Sequence, residues 1–123
     1  MNVTTKQLYN DASNDWNRSE PILLSDFTAR PFLLKWAEPV RDLDVLDLGC
    51  GEGYFARGLK GRGAGSILGI DVSEEMIGRA TEREAQEQMS ISYRSGDAAD
   101  LDDVKAESFD LCVAVFLFNY LKV

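Results

Sequence analysis

The sequence predicts an α/β fold built around a doubly wound parallel sheet, and two observations support this. Short apolar runs rich in valine, isoleucine and leucine recur along the chain, which is typical of strands covered on both faces. Segments with the helical spacing of apolar residues lie between these runs. Strands that alternate with helices in this way imply repeated strand–helix–strand units, and hence parallel strands.

The elements follow in chain order. Four strands are predicted, at 44–48, 66–70, 91–94 and 109–116. Four helices are predicted, at about 5–16, 27–38, 54–60 and 73–87. Pro31 suits the second helix only if that helix begins close to it. Ser73 is placed to cap the fourth helix, whose inward face is predicted to hold Met76, Ile77 and Ala80.

Length and composition limit the chain to one small domain. Its 123 residues are 45% apolar and 28% charged, which are ordinary values for a globular protein. The net charge of −8 argues against general binding to nucleic acid. No apolar run approaches the roughly 20 residues of a membrane-spanning helix, and residues 1–9 lack the apolar stretch of a signal peptide. We therefore expect a cytoplasmic protein that binds neither nucleic acid nor membrane.

Histidine is absent, and the two cysteines, Cys50 and Cys112, stand far apart. Without a CxxC pair or a histidine, no metal site, disulfide framework or histidine base is predicted. Both cysteines lie in strand-like or loop segments where small buried residues are common. The favoured interpretation is two buried, reduced thiols without chemistry.

The strongest functional signal is the run Val45-Leu-Asp-Leu-Gly-Cys-Gly-Glu-Gly53. Alternating glycines between a strand and a helix form a loop whose backbone approaches a ligand closely, a feature that nicotinamide- and flavin-binding proteins share. The dinucleotide pattern requires a further glycine where this chain has Tyr54. Asp47 and Glu52 would repel a pyrophosphate, whereas they would attract the amino and sulfonium groups of S-adenosylmethionine. The charges therefore favour the cationic ligand.

Two further acidic motifs follow in order. Asp71 ends the second strand, 22 residues after Gly49, where a carboxylate can accept both hydroxyls of a ribose; a helix-capping aspartate is the alternative. Ser95-Gly-Asp-Ala98 follows the third strand. Asp97 there could accept a hydrogen bond from an adenine amine, and Ala98 leaves room for the ring. An ordinary turn of glycine and aspartate is the alternative.

Taken together, these motifs resemble those of the class I methyltransferases that act on small molecules. The resemblance rests on the glycine run, on Gly69-Ile-Asp-Val-Ser-Glu-Glu-Met-Ile77, on Gly-Asp-Ala at 96–98 and on Phe109-Asp-Leu-Cys-Val-Ala-Val-Phe-Leu-Phe-Asn-Tyr-Leu121. It is collinear from about residue 42 to the end of the chain. It implies a partial Rossmann-like domain over 42–123, with an N-terminal helical lid segment over 1–41.

The resemblance implies S-adenosylmethionine as the cofactor and S-adenosylhomocysteine as its product. Asp47, Gly49 and Gly51 would line the methionine moiety, and Cys50 and Gly53 would shape the loop.

The nucleoside would be held by the later motifs. Asp71 would bind the ribose, and Val72 and Met76 would pack on the adenine. The motif around Gly96, with Asp97 and the backbone of Ala98, would contact the adenine edge.

Contacts at the two ends of the chain are implied as well. Val115 and Phe116 would offer a backbone carbonyl to the methionine amine, and Tyr9 and Trp16 are candidate lid contacts, although aromatic residues on a helix are as often core. Arg30 could pair with the methionine carboxylate, but a solvated helix arginine is the favoured interpretation because most arginines are exposed.

The chain departs from this family in two respects. Family members resemble one another over seven strands in the order 3-2-1-4-5-7-6, whereas only the first four strands, in the order 3-2-1-4, are found here. We therefore expect a fragment of a longer protein whose exposed edge at 109–121 pairs two copies into a homodimer. Many relatives carry paired histidines where this chain has Asn119 and Tyr120. Asn119 cannot act as a base, although alignment alone can supply much of the rate of methyl transfer.

Three functions follow from these observations. The first is methyl transfer from S-adenosylmethionine to a small-molecule acceptor, as part of a longer enzyme. The second is a non-catalytic module that binds the cofactor or associates with itself. The third, a nicotinamide-dependent oxidoreductase, is disfavoured by Asp47, Glu52 and Tyr54.

Overall fold

The computed structural model describes residues 29–115, so the predicted helix at 5–16 and everything from Phe116 onward lie outside the described residues. The elements in chain order are α1 (Ala29–Ala37), β1 (Val45–Leu48), α2 (Tyr54–Gly61), β2 (Ile67–Asp71), α3 (Glu74–Glu87), β3 (Ile91–Ser95) and β4 (Leu111–Val113). The four strands form one parallel sheet in the order β3-β2-β1-β4. The predicted fold and strand order are confirmed.

Side chains at paired positions of three neighbouring strands form the core with the first two helices. Leu34 of α1 and Phe55 and Leu59 of α2 pack in one cluster with the strand residues Val45, Ile67 and Ile91. Gly58 allows the two helices to approach closely, because a Cβ atom there would lie 2.8 Å from Leu34 Cδ1. The helix α1 therefore packs on the sheet domain through its apolar side, and Pro31 is the third of its described residues.

The start of α3 is capped as the sequence predicts. Ser73 adopts an extended conformation and its Oγ accepts a hydrogen bond from Met76 N at 3.2 Å. Met76 and Ala80 are buried on the inward face, and Ile77 is half-buried. Asp71, which ends β2, lies two residues before this cap.

The fourth strand is shorter than predicted, spanning Leu111–Val113 instead of 109–116. Its only sheet neighbour among the described residues is β1, which is itself four residues long, so pairing runs only from Val45↔Leu111 to Asp47↔Val113. Before the strand, Asp110 N donates to the backbone oxygen of Asp44 at 2.8 Å, while Asp44 N donates to the side chain of Asp110 at 2.8 Å and not to its backbone. The length of a strand depends on the strand with which it pairs, and the local sequence of β4 does not indicate the length of β1.

The predicted burial of Cys112 is wrong. Cys112 is exposed and unpaired, whereas Cys50 is buried as expected. Side chains alternate across a strand, and the flanking Leu111 and Val113 face α1 and α2 across a hollow. Cys112 therefore points to the opposite face of a strand that forms the edge of the sheet within the described part of the chain.

Candidate functional site

The glycine loop connects β1 to α2 at the carboxyl end of the sheet. Gly49, Gly51 and Gly53 all have positive φ angles, of 68°, 56° and 94°, a backbone conformation that favours glycine. The amides of Gly49 and Cys50 donate to the carbonyl of Ile70 at 2.8 and 3.1 Å, which fastens the loop to the end of β2. The alternation of glycine in the sequence thus reflects three left-handed backbone positions.

Asp71 lies directly beside this loop, as its distance from Gly49 along the chain predicts. Its Oδ2 accepts a hydrogen bond from Gly51 N at 2.8 Å, and its Oδ1 accepts one from Ser73 N at 2.9 Å. Burial raises the pKa of Asp71, and the two amide donors oppose that rise. The bond to Ser73 corresponds to the capping interpretation, and the bond to Gly51 joins the carboxylate to the loop. Each oxygen retains capacity to accept a further hydrogen bond.

Asp47 is the most unusual group in the site. Its side chain is only 1% exposed, and Oδ2 has no hydrogen-bond partner within residues 29–115. Burial, reinforced by the neighbouring Asp71 carboxylate, raises the pKa of Asp47 to about 8, and Arg30 acts in the opposite direction. A buried polar atom without a partner costs free energy, which a ligand with a donor or a positive charge would recover.

The interpretation of Glu52 as a free negative charge in the loop must be corrected. Its carboxylate is 5% exposed and forms an ion pair with Arg57, with Oε2 and Nη2 separated by 2.7 Å. Arg57 therefore neutralises the charge of Glu52. The acidic groups available to a ligand at the loop are therefore Asp47 and Asp71.

Arg30 is drawn towards the site, so the favoured interpretation of a solvated arginine is wrong. It lies in the first turn of α1 and is half-buried, with its guanidinium carbon 5.7 Å from the centroid of the Tyr54 ring. Its positive charge partly offsets the rise that burial causes in the pKa of Asp47. The packing of α1 against α2 brings Arg30 to Tyr54, although the two residues are 24 positions apart in the chain.

The adenine-side motif forms a turn next to Asp71. Gly96 N donates to the backbone oxygen of Asp71 at 2.9 Å, which joins the end of β3 to the end of β2. Asp97 is exposed, and its Oδ1 accepts a hydrogen bond from Ala99 N at 2.9 Å, as in an ordinary aspartate turn. Ala98 is half-buried. The structure therefore contains the predicted turn of glycine and aspartate, and a contact of this turn with adenine stays a prediction.

The remaining predicted contacts differ in accessibility. Val72 is half-buried, whereas Met76 is 1% exposed and belongs to the core, so Val72 is the better placed of the two to contact a ligand. Val115 is half-buried and lines the hollow beside β4. The other predicted contacts and the residues at the histidine positions lie outside the described residues, namely Tyr9, Trp16, Phe116, Asn119 and Tyr120.

Sequence reasoning missed two residues that touch the glycine loop, Arg57 and Tyr93. Arg57 donates to the backbone oxygen of Glu52 at 2.6 Å in addition to its ion pair. Tyr93 lies opposite Gly69 in the pairing of β2 with β3, and a Cβ atom at Gly53 would collide with its hydroxyl group. The five-residue spacing of Glu52 and Arg57 was a visible signal, but no local pattern indicates Tyr93.

Residues 29–115 contain neither a cluster of metal-ligating side chains nor a membrane-spanning helix. Among these residues, no three or more cysteine, aspartate or glutamate side chains are grouped so as to hold a metal ion. No helix in the same part of the chain is long and apolar enough to cross a membrane.

The parallel sheet in the order β3-β2-β1-β4, with a glycine loop flanked by two buried aspartates, defines a Rossmann-like nucleotide-binding class of protein. The family model described as "Methyltransferase domain" matches residues 45–123. The chain belongs to this family. Its resemblance to the class I methyltransferases is confirmed.

Individual relatives agree with this assignment. A ubiquinone biosynthesis O-methyltransferase of Coxiella burnetii is 29% identical over 130 aligned residues, covering 98% of this chain and 53% of the relative. An S-adenosylmethionine-dependent methyltransferase of Mesorhizobium loti is 38% identical with a TM-score of 0.61, covering 72% of this chain and 40% of that one. A phosphoethanolamine N-methyltransferase of Haemonchus contortus, solved with S-adenosylhomocysteine, is 28% identical with a TM-score of 0.69. The match covers 97% of this chain and 28% of that one. These alignments cover most of this chain, but the chain spans only about half the length of the curated relatives.

Proposed function

We propose that this chain is the S-adenosylmethionine-binding part of an enzyme that methylates a small-molecule acceptor. The observation that carries the proposal is the buried oxygen of Asp47, which has no hydrogen-bond partner within residues 29–115 and lies near a glycine loop held by Asp71. The amino and sulfonium groups of the cofactor supply the positive charge that this oxygen lacks. The methyltransferase relatives, including one solved with S-adenosylhomocysteine, support the same proposal.

Charge distinguishes this ligand from a dinucleotide. A pyrophosphate at the loop would face the buried Asp71 carboxylate and would oppose ionisation of the buried Asp47, whereas a cationic ligand would favour it. Tyr54 occupies the position of the third glycine of the dinucleotide pattern. The loop therefore favours a cationic ligand even though Glu52 is neutralised by Arg57.

The chain's own residues would divide the work of binding. Asp71 would accept both ribose hydroxyls on the lone pairs left by its amide donors, and Val72 would cover the adenine. Asp97 and Ala98 would contact the adenine edge, and Arg30, whose charge acts on Asp47, would pair with the methionine carboxylate. The lid role of segment 1–41 is part of the same proposal.

When bound, the cofactor supplies a methyl group activated by a sulfonium. A nucleophilic atom of the acceptor would displace the sulfur from this carbon, leaving S-adenosylhomocysteine, and any proton on that atom would pass to solvent. Within residues 29–115 the role of the chain is to hold and orient, because alignment supplies much of the rate of such a displacement. Asp47, once ionised, would hold the amino end of the methionine moiety.

The proposal is tested by titrating S-adenosylhomocysteine and NAD separately into the 123-residue chain by calorimetry. We expect saturable binding of S-adenosylhomocysteine, and binding of NAD at least tenfold weaker because of the two buried carboxylates. Tighter binding of NAD would contradict the assignment. Absence of binding to both ligands would contradict the proposal that this part of the protein binds the cofactor by itself.

We also propose that two copies of the chain associate through β4, which would make the chain a self-associating module. Within the described residues β4 is the edge of the sheet and has a neighbour on one side only. Beside it lies an open hollow of about 370 Å³ lined by apolar side chains. The exposed Trp36 forms one wall of this hollow and packs against Phe32 with ring centroids 4.7 Å apart. An uncovered edge strand beside apolar surface favours pairing with a second strand.

Light scattering at 10 to 100 micromolar is the measurement for this association. We expect twice the chain mass for the wild type and for Cys112→Ser, whereas Cys112→Lys is expected to be monomeric because a lysine on an edge strand opposes strand pairing. Cys112→Ser is the matched control for loss of the thiol. A wild-type monomer at these concentrations would refute the proposed dimer.

A further inference from the structure

The guanidinium group of Arg57, a residue of α2, binds the glycine loop and is largely buried. Arg57 is 11% exposed and donates to Glu52 twice, from Nη1 to the backbone oxygen at 2.6 Å and from Nη2 to the carboxylate at 2.7 Å. One guanidinium thus holds both the main chain and the side chain of a single loop residue. Removal of either partner would leave a buried charge uncompensated, which is far costlier than loss of an exposed ion pair.

Tyr93 reaches the same loop from β3. It is the register partner of Gly69 on β2, and a Cβ atom at Gly69 would lie 2.8 Å from Cδ1 of the tyrosine ring. The absence of a side chain at Gly69 therefore allows the ring to pass across β2. Its hydroxyl group is buried and has no hydrogen-bond partner among the described residues.

Both side chains lie against Gly53, the last residue of the loop. A Cβ atom at Gly53 would collide with the hydroxyl of Tyr93 and would lie 2.8 Å from Nη1 of Arg57. Burial raises the pKa of the Tyr93 phenol, and the positive charge of Arg57 opposes this rise. Glu52, Arg57 and Tyr93 thus form a cluster, and we call it the loop clamp.

We propose that the loop clamp is a set of positioning residues that hold the glycine loop in its ligand-binding shape before a ligand arrives. This inference rests on the proposed function, because the loop is the part of the cofactor site that it would preorganise. Glu52 and Arg57 are paired with each other, so they lack the free charge that a ligand contact would need. A loop that is already ordered costs less entropy to bind, which raises affinity without any direct contact.

Amide hydrogen exchange followed by nuclear magnetic resonance tests the loop clamp without any ligand. The informative amides are those of Gly51 and Gly53, with Ala80 in α3 as the reference for global unfolding. We expect Arg57→Met and Glu52→Gln each to speed exchange at the two glycines at least tenfold relative to Ala80, and Arg57→Lys to lie between them and the wild type. Arg83→Met is the matched control, since Arg83 pairs with Glu87 on the exposed side of α3.

Affinity for S-adenosylhomocysteine is the second readout. We expect Arg57→Met and Glu52→Gln each to weaken it at least tenfold, with the double variant no weaker than the worse single one, because either change breaks the same pair. If Arg57→Met does not fold, Glu52→Gln carries the test, since it keeps the shape of the side chain.

The outcomes separate this inference from the proposed function. Exchange at Gly51 and Gly53 within twofold of the wild type in folded Glu52→Gln would overturn the loop clamp, whatever the chain binds. Failure of the wild type to bind S-adenosylhomocysteine, together with accelerated exchange in the variants, would overturn the proposed function and leave the loop clamp supported. If hydrogen exchange became equally faster at Ala80 and at the two glycines, the cluster would stabilise the whole fold and not the loop in particular. That result would also overturn its positioning role.

Discussion

Replacing Asp71 with alanine is expected to weaken binding of S-adenosylhomocysteine by at least a hundredfold. The variant would lose the proposed acceptor of two ribose hydroxyls, and hydrogen bonds to a charged group contribute about 1.5–3 kcal/mol each. It would also release Gly51 N and Ser73 N, which the carboxylate now holds at 2.8 and 2.9 Å. Loss of the ligand contact and loosening of the loop therefore act in the same direction.

The measurement is a calorimetric titration of the folded variant beside two comparisons. Asp71→Asn keeps one oxygen acceptor and is expected to bind more weakly than the wild type but more tightly than Asp71→Ala. Asp102→Ala removes an exposed aspartate outside the site and is expected to leave affinity unchanged. If folded Asp71→Ala bound within threefold of the wild type, the ribose role of Asp71 would be excluded.

Replacing Asp47 with asparagine is expected to stabilise the fold at high pH while weakening cofactor binding at least tenfold. In the folded chain burial raises the pKa of Asp47 from its ordinary value of 3.8 to about 8. Between these two values the unfolded chain has lost the proton that the folded chain retains. The free energy of unfolding therefore falls as pH rises from about 4 to about 8, and above that range the full penalty of a buried carboxylate is present.

Asparagine carries no charge and removes this penalty, while it closely matches the protonated carboxyl group in shape. Urea unfolding at pH 5 and pH 8 is the measurement. Since each pH unit between the two pKa values contributes about 1.4 kcal/mol, we expect the advantage of Asp47→Asn over the wild type to be larger at pH 8 than at pH 5 by roughly 3–4 kcal/mol. The exposed Asp102→Asn serves as the control and should show no such dependence on pH. A variant less stable than the wild type at pH 8 would contradict the assignment of Asp47 as a strained, ligand-directed carboxyl group.

These two predictions describe opposite contributions of neighbouring aspartates. Asp71 accepts two backbone hydrogen bonds that hold the loop, whereas Asp47 has a buried oxygen that no described residue satisfies. A residue that lowers stability and improves binding is the expected consequence of a site built for a charged ligand.

Much of the site could be predicted from local pattern. The glycine alternation, the aspartate at the end of β1 and the aspartate at the end of β2 are each a few residues long, and parallel strands bring their carboxyl ends to one edge. That reasoning placed Asp71 beside the loop, and the bond to Gly51 confirms it. The cap at Ser73 was predicted in the same way, from residues within one turn of each other.

The sequence by itself determined the strand–helix alternation, the left-handed loop and the two aspartates, because each depends on neighbouring residues and on the period of apolar side chains. Only the tertiary structure decided that Arg57 neutralises Glu52, that Arg30 acts on Asp47, that Cys112 is exposed and that β4 ends at Val113. Only the tertiary structure brought Tyr93 against Gly53, through the register of β3 with β2 and the missing side chain of Gly69. Contacts of this kind depend on how separate elements pack, and the local sequence pattern does not indicate which elements will pack together.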